Sequence, residues 1–105
     1  MVPKLGLSES LVDPALAALW WAANERWEKA HALVVNEGSR DCAWVHAYLH
    51  RLEGDLDNAR YWYGRARKSI ATGPTRAEWS TIAGALLAAG GRRRAMVRTP
   101  ERELR

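Results

Sequence analysis

The stretch that decides the fold is Ala43-Trp44-Val45-His46-Ala47-Tyr48-Leu49-His50-Arg51-Leu52-Glu53-Gly54-Asp55-Leu56-Asp57-Asn58-Ala59-Arg60-Tyr61-Trp62-Tyr63-Gly64-Arg65-Ala66. It reads as two helices hinged at Gly54. Glycine closes a helix because it takes the left-handed conformation without a Cβ clash, and Asp55 behind it offers a carboxylate to the free N–H groups of the next turn. Outside this stretch Ala and Leu prevail, while Val, Ile and Thr are sparse and never alternate with polar residues over a strand's length. The chain is therefore expected to be all-α.

Working outward, Asp13-Pro14 is a helix start, with Asp capping and Pro in the first turn where its missing N–H costs nothing. That helix runs to about Ala23. Asn24 is the expected cap of a second, whose Trp27, Ala30, Leu33 and Val34 recur at helical spacing until Asn36-Glu37-Gly38. Ser39 or Asp41 starts a third through Glu53, and Gly73-Pro74 ends the fourth after Ala71. Thr75 with Glu78 matches a capping box and launches a fifth through Trp79, Ile82, Ala83, Leu86 and Leu87, until Gly90-Gly91. Short turns force neighbouring helices antiparallel. The expected architecture is one domain over 1–91, made of hairpins at about 14–37 and 41–71 with a capping helix at about 75–89.

A chain of 105 residues suits one small core. Its net charge of +4 is unevenly spread. Six of the sixteen Lys and Arg and two of the twelve acidic residues fall in 92–105, which leaves ten of each sign in 1–91. The body is neutral, and the basic end is expected to be flexible and solvated. Nucleic acid, or an acidic partner, enters only through this Arg-rich tail. The lone Cys42 excludes an internal disulfide and suits a reducing compartment. No apolar run reaches the roughly 20 residues of a membrane span, and Met1 to Asp13 lacks a signal pattern. A cytoplasmic protein with no membrane partner is expected. Six Trp and three Tyr with no Phe mean that the bulky positions carry polar edges, which suits grooves and interfaces.

Around Gly54 the second hairpin resembles a tetratricopeptide repeat. Ala47 takes the small position of the first helix, and Ala59, Tyr63 and Ala66 take the small, aromatic and small positions of the second. Trp27, Ala30 and Val34 look like a degenerate copy. More narrowly, Trp27-Glu28-Lys29-Ala30-His31, His46 to Glu53, Gly54-Asp55 and Asn58-Ala59-Arg60-Tyr61-Trp62-Tyr63 are similar to a family of small, uncharacterised, mostly bacterial helical-repeat proteins. Val35 and Gly64 depart from it, where such proteins often carry Gln and Arg. The resemblance implies an α-solenoid and no particular activity. Two repeats fall short of the usual minimum of about three, so the terminal helix or homodimerisation must supply the missing burial.

His46, His50 and Glu53 fall at i, i+4 and i+7, on one stripe of the third helix. Two imidazoles one turn apart form a bidentate arm for a divalent metal such as Zn, to which Glu53 adds an oxygen and His31, from the preceding helix, a third imidazole. The competing reading makes these histidines structural or partner-binding. Arg51 and Arg60 are candidates to receive a carboxylate or phosphate. Tyr61, Trp62 and Tyr63 are consecutive and cannot all face one core. Tyr63 fills the packing position, which leaves Tyr61 and Trp62 as contact residues, unless the last helix covers them through Trp79. Gly-rich phosphate loops and catalytic triads are absent. The sequence favours a non-enzymatic interaction module that binds through His46, His50, Glu53, Arg51, Arg60, Tyr61 and Trp62. Its alternative is a metal-binding protein or metal-dependent enzyme built on His31, His46, His50 and Glu53.

Overall fold

The computed structural model describes residues 13–103, with side chains for 13–90. Five helices and no strand occur among the described residues: α1 (Pro14–Ala23), α2 (Trp27–Val34), α3 (Arg40–Leu52), α4 (Leu56–Ala66) and α5 (Thr75–Glu103). None is long and apolar enough to cross a membrane.

Most helix starts follow the capping residues in the sequence. The Asp13 carboxylate accepts from the backbone N–H of Ala15 at 3.0 Å, Ser39 Oγ from Cys42 N–H at 3.1 Å, and Asp55 from Asn58 N–H at 3.3 Å. Asn24 corrects the expectation. It closes α1, with its Nδ2 donating to Trp20 O at 2.8 Å, while α2 begins behind Arg26 without a side-chain cap. Glu78 does not fold back onto its own helix start. Its carboxylate turns into the core, where Tyr63 Oη donates to one oxygen and Arg51 Nη1 to the other at 2.8 Å.

Gly54 sits at φ +85°, and the Asp55 N–H reaches back to His50 O at 2.9 Å, the six-to-one bond of a Schellman end. Arg67 does the same at the end of α4 with φ 59°, its successor Lys68 donating to Tyr63 O at 3.0 Å. This left-handed residue stops α4 at Ala66, ahead of the predicted Gly73-Pro74. In α5 the backbone runs through Gly90-Gly91 to Glu103. Glycine costs a helix about 1 kcal/mol without breaking its geometry, and the Arg and Ala that follow are strong helix formers. The side chains of the basic 92–105 segment lie outside the described residues.

The centre of the molecule is α3, which touches all four other helices. Cys42 through His50 are buried on every side. The largest fully buried side chains include Tyr63, Leu19, Leu49, Ile82, Val34 and Val45, and the small Ala30, Ala47, Ala59 and Ala66 pack in the same core. Trp79 Nε1 donates to Leu19 O at 2.8 Å, so α5 rests on α1 there and does not cover Tyr61 and Trp62.

Candidate metal centre

Because α3 is buried all round, its histidine stripe does not face solvent. It faces α2. His46 and His50 are 2% and 6% exposed, and α2 brings His31 across to them. The His31 and His46 Nε2 atoms are 3.0 Å apart. One ring nitrogen from each of His31, His46 and His50 lies within 4.8 Å of the others, with no further His, Cys, Asp or Glu in this group among the described residues.

Two indoles wall the cluster. Trp27, one helical turn before His31, stacks on it at a centroid distance of 4.7 Å, and its Nε1 donates to Leu49 O at 2.6 Å, tying α2 to α3 beside the site. Trp62 of α4 stacks on His46 at 4.0 Å. Arg65 lies over the Trp62 ring at 5.4 Å. His31, Trp27 and Trp62 are half-buried and form the rim, above a floor of His46 and His50.

Glu53 stands apart from the three nitrogens. Its Oε2 is 2.7 Å from His50 Nδ1, which makes that nitrogen the donor and turns Nε2 away from the carboxylate, the orientation that carboxylates impose on metal-ligating histidines. Glu53 thus orients His50 and stands outside the group of three ring nitrogens. His50, Glu53 and Asp55 make a second, more exposed group, but Asp55 is occupied as the cap of α4, bonded to the Asn58 N–H and side-chain amide.

Burial sets the charge state of the cluster. His46 is pushed down to about 4, first by desolvation and then by the neighbouring His31 and His50. His31 is lowered by its burial and by His50, partly offset by Glu53. Both rings are neutral near pH 7, so the 3.0 Å contact is one N–H···N hydrogen bond. His46 Nδ1 is buried without a partner. An orphaned lone pair is cheaper than an orphaned N–H, so His46 carries its proton on Nε2 and donates it to His31. Cys42, a turn before His46 on the same helix, does not join. Its sulfur lies outside the group of three ring nitrogens, and burial raises its thiol pKa.

The remaining predicted site residues are not brought to the histidines. Arg51 is held by Glu78, and its Nη2 also donates to Gly73 O. Arg60 pairs with exposed Asp57 at 3.2 Å. Arg51 and Arg60 do line one groove, with Leu56 and Ile70. Tyr61 is 55% exposed, its hydroxyl accepting from Arg65 Nη1 at 2.9 Å. Sequence reasoning treated Trp27 only as a core residue, although the four-residue step to His31 was a readable sign that the two rings share a face. No known protein family, curated protein or solved structure matches the chain.

Proposed function

We propose that this protein binds a divalent transition-metal ion, zinc or a neighbour in ligand preference, through the ring nitrogens of His31, His46 and His50. The observation that carries the reading is the convergence of three imidazoles from two helices, one of them oriented by a carboxylate. Zn–N bonds of 2.0–2.1 Å in tetrahedral array set neighbouring nitrogens about 3.3 Å apart. The His31–His46 pair at 3.0 Å needs to open by a few tenths of an ångström, and the wider pairs close by ring rotation. Coordination by His46 Nε2 moves its proton to Nδ1, where no acceptor waits, at a cost of about 1–3 kcal/mol. Three metal–nitrogen bonds outweigh that, since structural zinc sites supply roughly 10 kcal/mol or more.

The test is elemental mass spectrometry and zinc titration calorimetry on tag-free protein, comparing wild type with His31→Ala and Glu53→Ala. Both substituted residues have some exposure, so the fold is expected to survive. One ion per chain is expected, lost in His31→Ala and bound about 10–100-fold more weakly in Glu53→Ala. No stoichiometric metal in folded wild type overturns the reading.

A second reading is the interaction module. Helices α1 with α2 and α3 with α4 would form two tetratricopeptide-like hairpins capped by α5. Exposed Leu56, Tyr61 and Ile70 favour it, at 60%, 55% and 53%, because Leu56 and Ile70 line one groove with Arg51 and Arg60, and tyrosine and arginine carry much of the binding energy of partner surfaces. A homodimer is the simplest partner, and a monomeric mass by light scattering at high micromolar concentration would remove it.

A further inference from the structure

Resting on the metal-binding reading, we infer that the centre is of the open type: His31, His46 and His50 leave one coordination position at the rim, and that position takes a small monodentate anion in exchange for water.

Four observations lead there. First, the described residues offer three ligand atoms and no fourth within the 4.8 Å that groups them, whereas closed structural zinc sites present four protein ligands. Second, the nearest carboxylate is committed. Glu53 bonds His50 Nδ1 at 2.7 Å, and the two nitrogens of an imidazole point away from each other, so a carboxylate on Nδ1 is on the wrong side of the ring to reach an ion on Nε2. Third, the walls have nothing to give. Trp27 Nε1 is a donor already spent on Leu49 O, and Trp62 meets His46 with its ring face. Fourth, the cluster is not sealed from solvent. His46 and His50 form a buried floor, and His31 between half-buried Trp27 and Trp62 is the part that meets solvent.

Charge sets the class of ligand. Three imidazole ligands leave both positive charges of the ion uncancelled by its direct ligands, above a floor of buried side chains. An anion relieves this better than water does. Arg65, over the rings of Tyr61 and Trp62, adds a positive charge on the Trp62 side of the cluster, which draws anions toward it. The same features make the bound water acidic, as in three-histidine zinc centres, so hydroxide is the anion expected when no other is supplied.

The experiment uses full-length protein loaded with Co(II), whose visible d–d bands report coordination number and ligand exchange, titrated with sodium azide. The expected result is a one-to-one Co(II) spectrum that azide shifts saturably, with the shift weakened in Arg65→Ala. Calorimetry of azide into apo protein serves as control and is expected to show no heat. A normal Co(II) spectrum that azide leaves unchanged means a closed site, which overturns this inference and leaves metal binding intact. Absence of any Co(II) or Zn(II) binding overturns the metal reading and this inference together.

Discussion

At the scale of single residues two imidazoles of the cluster, His31 and His46, are kept neutral by burial, and this has a measurable cost in acid. The folded pKa of His46, about 4, lies below its ordinary 6.5, so between those values the unfolded chain binds a proton that the folded chain refuses. Stability is therefore complete above pH 6.5 and falls as pH drops toward 4, by about 3 kcal/mol from His46 alone, with His31 adding in the same direction. Urea unfolding of apo protein across this range checks it, and His46→Gln is expected to flatten the slope. The stripe of His46, His50 and Glu53 was legible from helical spacing. His31 was named as the third ring, but spacing could not supply its distance from the stripe, because the orientation of α2 against α3 depends on long-range packing such as the Trp27 to Leu49 bond. Nor could spacing show that Glu53 would bond His50 instead of standing among the ligands.

At the scale of elements the two left-handed helix ends make a matched pair of predictions. Gly54, at φ +85°, has open space where a Cβ would go, so Gly54→Ala costs conformational energy alone, about 1 kcal/mol. Arg67 has nearly the same job at φ 59° with a side chain that dislikes it, and Arg67→Gly is expected to stabilise by roughly 0.5–1 kcal/mol. Chemical denaturation of the two variants reads both signs. Their contrast explains how far the elements were readable. Where a cap residue of the expected type does the work, as at Asp13, Ser39, Gly54 and Asp55, the boundary was evident. It was missed where a residue of the wrong type is held in the special conformation by its surroundings, as at Arg67, and where a capping signature has been diverted. Glu78 has the spacing of a capping box, yet its carboxylate joins Tyr63 and Arg51 inside. That diversion predicts a large effect. With Glu78 only 7% exposed, Glu78→Ala leaves the Arg51 charge and the Tyr63 hydroxyl without their partner, and is expected to destabilise by about 3–5 kcal/mol. Glu78→Gln, which keeps an acceptor in place, should recover part of it.

At the scale of the molecule the histidine cluster lies where α2 meets α3, while the Glu78 network ties α5 to α3 and α4 at a different place. The two junctions are independent in their contacts, since His31, His46 and His50 share no partner with Arg51, Tyr63 or Glu78. An ion bridging His31 to His46 and His50 therefore reinforces one junction and leaves the other as it was. Zinc at about 100 times its dissociation constant stabilises the fold by about 2.7 kcal/mol through mass action, and that global gain appears at every amide that exchanges only on full unfolding. The distinguishing signal comes from local openings. Hydrogen exchange in zinc-loaded protein should slow most for amides of Trp27–Val34, whose release from α3 breaks ligand bonds, and less for those of α5 near Ile82, whose local opening does not. A uniform slowing along the chain would mean that α2 does not open separately, and that the ion acts on a single cooperative unit. In that case the histidine cluster is part of the core's own cooperativity, and His31→Ala should lower stability more in zinc than in apo protein, by the mass-action gain of about 2.7 kcal/mol that it forfeits.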